Sequence, residues 1–348
     1  MKNKIVTFGE ILLRLSKHSR KRLIQAGDFV EFFGGSEANV AVSLSTLGDN
    51  VQYITRVPDN LMGQAVSLKM RTYGVNTNSF IYGGPRLGSY YFEEAAAMRN
   101  SSVVYDRQDS SFYNITSGMI DWKKVFSNAA LYHTSGISAA VSQSAYWATW
   151  ESIKEARNAG VPVSFDVNYR KNLWGYGAEP ADVLRQFSQQ ADIIFGDQNE
   201  FEVISGIPAI PFKAMDADYE IDVEAYRQYF EKVQKMYPKA KVFLMAVRNQ
   251  IASSHHTLSG MLYFHGKLYT TRIYDILPIV DPMGVGDAFC AAFLHSITHW
   301  KDDPQKCLDF SLTASAMKNT IPGDFNLNTE DEIFEVLNAK GPFEYDIA

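Results

Sequence analysis

Cysteine is scarce in this chain, and the sequence lacks the features typical of membrane proteins, secreted proteins and nucleic-acid-binding proteins. The two cysteines among 348 residues, Cys290 and Cys307, lie in apolar helical segments, which predicts buried thiols and a reducing, cytoplasmic location. No run of eighteen apolar residues occurs, so the sequence predicts no membrane span. The first eight residues enter a strand pattern directly and lack the apolar core of a signal peptide. The net charge of −6 argues against a nucleic-acid partner.

Common catalytic signatures are also absent. A single glycine, Gly9, follows the first predicted strand, where a dinucleotide-binding fingerprint needs three. Residues 260–267 are one residue too long for a phosphate-binding P-loop, and Leu268 stands where Ser or Thr would bind magnesium. The seven histidines show no metal-ligand spacing, and residues 255–256 are predicted to lie in a polar loop. These absences argue against an oxidoreductase, a P-loop enzyme and a histidine metal centre.

Short runs of β-branched and aromatic residues alternate with helical patterns through most of the chain. The predicted strands are residues 4–8, 51–56, 130–133, 161–166, 192–195 and 242–247. One predicted helix carries an apolar stripe that consists of Val223, Tyr226, Phe230, Val233 and Tyr237. The alternation predicts an α/β fold with a doubly wound, mostly parallel sheet and helices on both faces. Ligands in such folds gather outside the carboxyl ends of the strands.

Two regions, at about 10–33 and 83–113, interrupt this alternation. They lack helical periodicity and are dense in Gly, Tyr, Phe and Ser, and residues 87–93 and 102–107 are predicted to pair as a hairpin. We predict that residues 1–348 form a single domain, from which the two regions rise as a small β-sheet lid. The alternative is a surface hairpin without a role. Residues 207–222, which contain two prolines and several acids, are predicted to form a surface loop.

The most informative stretch is residues 279–289. Val280 is predicted to end a strand, and Gly284 and Gly286 then let the backbone turn tightly into an apolar helix. A helix that starts in this way leaves main-chain N–H groups unpaired, and its dipole also favours an anion there. Asp287 would repel a bare phosphate at this position, but a carboxylate can accept a proton from a hydroxyl that attacks the phosphate. The alternative for Asp287 is a simple N-cap.

A second glycine turn, Gly34-Gly35, also enters a helix, and Gly48 is predicted to end that helix. The paired glycines allow the backbone to approach a small polar ligand closely. Asn39 offers both a hydrogen-bond donor and an acceptor from the first turns. The alternative is a purely structural helix in which Ser36 or Asn39 bonds to the backbone.

Polar groups also follow the predicted strand that ends at Asp166. Arg170 carries a planar fork suited to a carboxylate or a phosphate, and Arg107 in the predicted lid adds a second positive charge. Two arginines in one pocket favour an anionic ligand over a neutral sugar. The alternative for each arginine is a surface salt bridge.

With these motifs placed, the chain resembles the ribokinase-type carbohydrate kinases of the PfkB superfamily over essentially its full length. Gly34-Gly35 with Asn39-Val40-Ala41 matches the first family signature, and Asp281 with residues 284–287 matches the second. The resemblance implies a cytoplasmic kinase that uses ATP and Mg²⁺ to phosphorylate a sugar, with a β lid and often a homodimer formed through the lids. It implies neither a nucleic-acid nor a membrane partner.

Within the superfamily the chain is most similar to 2-keto-3-deoxygluconate kinases, which form the 6-phosphate of that sugar acid. The similarity rests on Glu37 in the first signature, on residues 105–107 and 166–170, and on Gly323-Asp324. It implies that the sugar is bound by Gly34, Gly35, Asn39, Tyr90, Tyr105, Arg107, Arg170 and Asp324. The alternatives are another PfkB sugar kinase, such as a fructokinase or a 5-keto-2-deoxygluconate kinase, and a non-catalytic sugar-binding relative.

The resemblance also implies the roles of the remaining site residues. Asp287 would be the general base, next to the main-chain N–H groups of Gly284, Val285 and Gly286. Glu200 would hold magnesium through water. The implied nucleotide-binding residues are Asn168, Asp197, Arg248, Gly284, Gly286 and Asn319. Three segments depart from the family pattern. Residues 246–250 lack the usual glycine turn, Asp197 replaces the Asn of the Asn-x-x-Glu motif, and Asp281-Pro282-Met283 varies the more common Asp-Thr-Thr entry to the second signature.

Overall fold

The computed structural model of the protein describes residues 4–211 and 220–339. The strands are β1 (Lys4–Phe8), β2 (Leu12–Lys17), β3 (Phe29–Gly34), β4 (Asn50–Ile54), β5 (Arg56–Val57), β6 (Ile81–Tyr82), β7 (Gly88–Glu93), β8 (Ser102–Asp106), β9 (Ala129–Ser135), β10 (Val163–Asp166), β11 (Ile193–Gly196), β12 (Val242–Ala252), β13 (His255–Phe264), β14 (Lys267–Thr270) and β15 (Tyr274–Ile276). The helices are α1 (Ser36–Thr46), α2 (Leu61–Thr72), α3 (Trp122–Phe126), α4 (Gly136–Ala140), α5 (Gln143–Asn158), α6 (Pro180–Ser188), α7 (Gln198–Ser205), α8 (Val223–Met236), α9 (Val285–His299), α10 (Pro304–Lys318) and α11 (Glu330–Asn338).

A large, mostly parallel sheet forms the centre of the molecule. Its strands follow the order β14-β13-β12-β11-β10-β9-β1-β4, and β15 pairs with β13. The pairs from β12 to β4 are all parallel, whereas β13 pairs antiparallel with its three neighbours. The predicted α/β class with a mostly parallel sheet is therefore confirmed, and all six predicted strands are present.

The two faces of this sheet carry separate hydrophobic clusters. Successive residues of a strand point to opposite faces, and accordingly Ile5 and Val6 of β1 belong to different clusters. The cluster of Val6 includes side chains of α5, whereas the cluster of Ile5 includes side chains of α1 and α9. Strands covered on both sides must be apolar at nearly every position, which is why they read as continuous hydrophobic runs.

A separate small sheet arises from the two regions that interrupt the alternation. Its strand order is β3-β2-β7-β8. The hairpin predicted near residues 87–107 is confirmed, because β7 and β8 pair antiparallel with Tyr90 opposite Tyr105. The parallel pairing of β2 with β7 joins the two regions into one sheet. The action of this sheet as a lid, and the organisation of residues 1–348 as a single domain, stay predictions.

Two local predictions are wrong. The strand predicted to end at Val280 ends earlier, at Ile276, in a segment where Pro278 has no N–H to give to a sheet; the N–H of Val280 donates instead to Asn319 O. The histidines at 255 and 256 do not lie in a loop but open β13, where β-sheet pairing with β12 and β15 overrides the polar local sequence.

Other expectations have a plainer outcome. Cys290 and Cys307 are buried free thiols, as predicted. Of the predicted apolar stripe, Tyr226, Phe230 and Val233 on α8 and Tyr237 directly after it are buried, whereas Val223 is 46% exposed. Of the loop predicted at 207–222, residues 212–219 lie outside the described residues. Within the described ranges, no helix has the length and apolar character needed to cross a bilayer.

Candidate active site

The starts of α1 and α9 meet at the side chain of Asp287. Ser36 Oγ donates a hydrogen bond of 2.9 Å to Asp287 Oδ1, and Asn39 Nδ2 donates one of 2.7 Å to Oδ2. Ser36 and Asn39 lie in the first turn of α1, directly after the Gly34-Gly35 turn, and Asp287 lies in the first turn of α9. The structure therefore brings together the two glycine motifs, which are about 250 residues apart in sequence.

Close contacts, with backbone at Gly35 and Gly284 and with the Asp324 side chain at Gly34, explain why glycine occupies these turns. A Cβ atom on Gly35 would lie 2.1 Å from Glu10 O, and one on Gly34 would lie 2.5 Å from Asp324 Cγ. Gly284 has φ of +77°, and its Cβ would lie 1.9 Å from Asp324 O. A side chain at any of the three positions would displace the strand end or the loop that it faces.

The first turn of α9 is open toward an anion. Gly284 is the N-cap residue, and no side chain caps this helix start. Asp287 lies inside the first turn with both oxygens engaged by α1, so its alternative interpretation as an N-cap is wrong. Gly286 is exposed, and a Cβ there would meet no atom within 4 Å. Main-chain N–H groups at such a helix start can bind phosphate oxygens.

The environment of Asp287 shifts its pKa upward. Burial is the largest cause, and the hydrogen bonds from Asn39 and Ser36 and the charges of Arg170 and Lys318 counteract it. A carboxylate that is partly desolvated but held by donors is a better proton acceptor than one free in water. The geometry and the pKa therefore both suit a general base.

A second group of acids lies beside Asp287. Burial raises the pKa of Asp166 well above its ordinary value, and the charges of Glu200 and Asp287 raise it further. Burial and the neighbouring Asp197 raise the pKa of Glu200 to about 7. The raised pKa values mean that burial and mutual repulsion outweigh the nearby positive charge, so these acids hold their protons more tightly than ordinary carboxyl groups do.

Asn168 connects these acids to the start of α1. Its Nδ2 donates to Ser36 Oγ at 3.1 Å and to Asp166 Oδ2 at 3.0 Å. Its backbone has φ of +40°, a strained conformation of the kind that recurs at functional sites. Among the described residues, the buried Asn168 Oδ1 has no hydrogen-bond partner. This leaves an unused oxygen acceptor on a side chain that bonds to Asp166 and, through Ser36, is linked to Asp287.

The other residues predicted to bind the nucleotide differ in burial and in their hydrogen-bond partners. Asp197 and Glu200 form a capping box at the start of α7, and each side chain accepts from the backbone N–H of the other at 2.8 Å. Arg248 is exposed on β12. Asn319 is buried, and its Nδ2 donates to Ser315 O at 3.0 Å, so this nitrogen secures the end of α10.

The small sheet meets the second glycine motif through a buried arginine that the sequence analysis missed. Arg14 of β2 is fully buried and forms ion pairs with Asp281 at 2.7 Å and with Asp324 at 3.3 Å. Tyr90 of β7 donates a short hydrogen bond to Asp324. Burial raises the pKa of Asp324 to about 6, and Arg14 counteracts this shift. A charged residue within the apolar run 11–15 was the available signal.

The two arginines predicted to bind the substrate do not contact each other. Arg107 is nearly buried, and its Nε donates to Glu10 Oε2 at 2.8 Å. Arg170 is exposed, and its Nη1 donates to Tyr169 O at 3.3 Å. In the described part of the chain, Arg170 has no carboxylate ion pair, so its guanidinium group is available to an anion. Sequence reasoning also missed Glu10, although it follows the first strand.

Tyr105 and Glu37 complete the set of predicted residues. The Tyr105 ring lies 5.7 Å from the ring of Tyr90, on the same face of the small sheet. Glu37 is buried, and its Oε1 accepts hydrogen bonds from Ser135 N, Ser135 Oγ and Ser138 Oγ at 2.7–2.8 Å. Glu37 therefore fixes α1 to the end of β9 and the start of α4.

Residues 2–329 match the family described as pfkB family carbohydrate kinase. The protein belongs to this family. Among solved structures, this PfkB kinase is similar to 2-dehydro-3-deoxygluconokinase from Thermotoga maritima, with 33% identity, a TM-score of 0.89, and coverage of 97% of this chain and 100% of that one. The resemblance drawn from the two glycine signatures is confirmed, and so is the assignment as a sugar-kinase enzyme.

Curated relatives of this PfkB kinase act on more than one sugar. The 2-dehydro-3-deoxygalactonokinase of Haloferax volcanii is 28% identical and covers 97% of this chain and 98% of its own length. Fructokinase-1 of Zea mays is 25% identical and covers 96% of this chain and 97% of its own length. Relatives that match over nearly the whole chain thus support a PfkB sugar kinase that is close to the kinases for 2-dehydro-3-deoxy sugars. They do not single out one sugar.

Proposed function

We propose that this PfkB kinase transfers the γ-phosphoryl group of ATP to the terminal hydroxyl of 2-keto-3-deoxygluconate, also called 2-dehydro-3-deoxygluconate, and so forms its 6-phosphate. The observation that carries the proposal is the position of Asp287, between an uncapped helix start and the first glycine motif. An anion-binding helix start and a proton acceptor are both needed for phosphoryl transfer to a hydroxyl.

Asp287 accepts the proton of the attacking hydroxyl in this mechanism. Ser36 and Asn39 fix the two carboxylate oxygens, so the side chain does not have to be ordered when the substrate binds. Transfer of the proton to Oδ1 or Oδ2 makes the sugar oxygen a stronger nucleophile toward the γ-phosphorus atom. The leaving group is ADP.

The N–H groups of Gly284, Val285 and Gly286 stabilise the negative charge on the transferred phosphoryl group. They are fixed by the helix and need no reorganisation during the reaction. Gly286 leaves open space in front of these donors. Because these donors stabilise charge that develops in the transition state, they lower the barrier to transfer and so raise the turnover rate.

Magnesium fits the acidic group beside Asp287. PfkB kinases use ATP, and a phosphate-bound Mg²⁺ prefers oxygen ligands. The unpartnered Asn168 Oδ1 and the carboxylates of Asp166 and Glu200 offer such oxygens. In the proposed complex Asn168, Asp166 and Glu200 would hold the ion, Glu200 through a water molecule, and Asp197, Arg248 and Asn319 would line the nucleotide. Bound Mg²⁺ neutralises phosphate charge.

The sugar acid lies between Asp287 and the small sheet in this proposal. Gly34, Gly35 and Asn39 approach it closely from one side, and Tyr90, Tyr105 and Asp324 offer polar groups to its hydroxyls. Arg170 binds the carboxylate, because it has a free guanidinium group, and Arg107 adds positive charge. We further propose that the enzyme is cytoplasmic and that the small sheet closes over the site as a lid. Closure excludes water from the site, which keeps ATP from being hydrolysed.

A neutral-sugar kinase, such as a fructokinase, is the second candidate. It is favoured by the Arg107–Glu10 ion pair, since Glu10 already compensates the charge of Arg107. Only Arg170 then remains to attract an anionic substrate. The two candidates differ in whether a substrate carboxylate contributes to binding.

A substrate panel with an ATP-consumption assay tests the proposal. We expect kcat/KM for 2-keto-3-deoxygluconate to exceed that for fructose and 5-keto-2-deoxygluconate by at least about tenfold, since a charged hydrogen bond is worth roughly 1.5–3 kcal/mol. 2-Keto-3-deoxygalactonate serves as the epimer control. Equal or better turnover of fructose would establish the second candidate. Sugar binding without ATP consumption would indicate a non-catalytic relative.

A further inference from the structure

Two histidines and an aspartate form a cluster at the far end of α9 from Asp287. His295 and His299 lie one turn apart on α9, and Asp49 lies between α1 and β4. Asp49 Oδ2 is 2.9 Å from His295 Nδ1, and Asp49 Oδ1 is 3.1 Å from His299 Nε2. A helix rises 1.5 Å per residue, which puts the cluster about 12–18 Å from Asp287 along α9. The cluster is therefore separate from the proposed active site.

The prediction that no histidines show metal-ligand spacing is wrong for this pair. Residues i and i+4 share one face of a helix, and the two imidazole rings are 4.4 Å apart. The third group, Asp49, is 246 residues away from His295 in sequence. Only the fold brings Asp49 to the pair, so the sequence spacing could indicate the two histidines but not the third group.

The distances suit a small tetrahedral ion. The three candidate ligand atoms lie within 4.8 Å of one another. Bonds of about 2.0–2.2 Å to a tetrahedral ion hold its ligand atoms about 3.3–3.5 Å apart. Asp49 contacts the two histidines through different oxygens, at 2.9 Å and 3.1 Å, and whichever oxygen binds the ion, its own contact needs to lengthen by only a few tenths of an ångström to reach this range. Imidazole ligands with one carboxylate favour Zn²⁺ over Mg²⁺, which prefers oxygen alone.

A second carboxylate faces the opposite nitrogen of the buried histidine. His295 Nε2 is 3.2 Å from Glu330 Oε2, at the first residue of α11. Histidines that bind a metal through one nitrogen usually donate the other N–H to a carboxylate, which fixes the tautomer and the ring orientation. Glu330 would thus hold the proton of His295 on Nε2 and leave Nδ1 free to bind an ion.

Burial differs among the three groups in a way that permits an ion to enter. The side chains of His295 and Asp49 are 2% and 9% exposed, whereas that of His299 is 51% exposed. Two ligands are therefore preorganised, and the third faces solvent. We propose that Asp49, His295 and His299 bind a Zn²⁺-like divalent cation, with Glu330 as a positioning residue, and that the ion joins α9 to the loop after α1 and to the start of α11.

Zinc binding to the full-length protein tests this site. We expect protein treated with EDTA to bind one Zn²⁺ per chain in calorimetry, with a melting temperature that rises with Zn²⁺ concentration. His299→Ala should lower the zinc affinity at least about tenfold, and Glu330→Gln by about 10–100-fold. Because His299 is half exposed, its replacement should leave the fold intact. His265→Ala, which removes an exposed histidine of the β13–β14 turn, should bind zinc like the wild type.

X-ray absorption at the zinc edge gives an independent measurement. Nitrogen and oxygen ligands at about 2.0–2.2 Å are expected. A sulfur ligand at about 2.3 Å would assign the ion to Cys290 or Cys307 and overturn the proposal. Absence of zinc binding in the wild type would overturn it too, as would equal zinc affinity in the wild type and His299→Ala.

Discussion

Asp287 shows how a single carboxylate can be held ready to accept a proton. Its oxygens are fixed by Ser36 and Asn39, and burial raises its pKa. A raised pKa makes the ionised form a stronger base. It also means that, as the pH falls, Asp287 becomes protonated at a higher pH than an ordinary carboxylate does. We therefore expect kcat/KM to decline on the acid side as Asp287 becomes protonated.

Replacement of Asp287 by Asn tests its role as the base. Because an amide cannot accept the proton, kcat should fall by about 10²–10⁴, while ATP binding measured by titration should persist. Asp331→Asn is the matched control, since Asp331 is an exposed acid in the first turn of α11 and should keep full activity. An Asp287→Asn enzyme within about threefold of wild-type turnover would rule out general-base catalysis by this residue.

Arg170 provides the corresponding test of the substrate carboxylate. Arg170→Ala should raise KM for the sugar acid about tenfold or more, because a charged hydrogen bond is worth roughly 1.5–3 kcal/mol. KM for a neutral sugar should change little. Arg227→Ala is the control, since Arg227 forms surface ion pairs on α8. An unchanged KM for the sugar acid would place Arg170 outside the sugar site.

At the scale of secondary-structure elements, much of the site could be predicted because its signals are local. A glycine turn followed by an apolar helix is visible in consecutive residues, and both helix starts were located in this way. The contacts between elements were not visible. Arg14 and Asp281 are separated by 267 residues, and neither residue type indicates its partner. The role of Glu37 was hidden for the same reason, since its partners lie on β9 and α4.

Two glycines at the start of α9 should respond differently to replacement by alanine. Gly286→Ala should keep or slightly raise stability, because alanine is favoured in helices by up to about 1 kcal/mol and its Cβ meets no neighbour. The methyl group would instead crowd the phosphate, and we expect kcat/KM for ATP to fall about tenfold, or roughly 1.4 kcal/mol. Gly284→Ala should destabilise the fold, because its φ is positive and its Cβ would overlap Asp324 O.

Thermal unfolding and ATP kinetics on both variants distinguish the two effects. Full activity of Gly286→Ala would show that no phosphate binds at this helix start. Wild-type stability of Gly284→Ala would contradict the close contact with Asp324.

The buried Asp166 at the end of β10 predicts a dependence of stability on pH. Asp166 has a raised pKa in the folded state, so the folded protein holds this proton more tightly than the unfolded chain, whose Asp pKa is about 3.9. The wild type therefore loses stability as the pH rises through the folded pKa of Asp166. Asp166→Asn cannot ionise, and its oxygen can still accept from Asn168.

Urea unfolding at pH 5 and pH 8 measures this effect. The free energy of unfolding of Asp166→Asn, relative to the wild type, should increase between the two pH values by about 1.4 kcal/mol for each pKa unit titrated in that range. Asp302→Asn, at an exposed position before α10, should show no such increase. A difference between Asp166→Asn and wild type that is constant with pH would contradict the argument.

At the scale of the whole molecule, the small sheet is tied to the main body by charge as well as by packing. Arg14 is buried between Asp281 and Asp324 and lies over the rings of Phe32 and Phe92. Removing one partner of such a buried group costs about 3–5 kcal/mol, since it leaves charges uncompensated. The inner face of the small sheet therefore packs against the candidate active site through Arg14, which leaves its outer face for other contacts.

That outer face carries several partly exposed apolar side chains, and it bears on the predicted homodimer. Leu13 and Leu15 alternate with the buried residues of β2, and the ring of Phe29 contacts that of Tyr91. Val104, opposite Tyr91, is 53% exposed. An exposed apolar sheet face on a carbohydrate kinase of this family is suited to burial against a second copy of itself.

We therefore expect light scattering after size exclusion to give the mass of a homodimer. Val104→Lys puts a charge into the proposed interface and should shift the protein to monomers at micromolar concentration, because an unpaired charge is costly to bury. Trp147→Lys is the matched control, since Trp147 is 52% exposed but lies on α5, outside the small sheet, and it should leave the dimer intact. A monomeric wild type, or a dimer insensitive to Val104→Lys, would show that this face is not the interface.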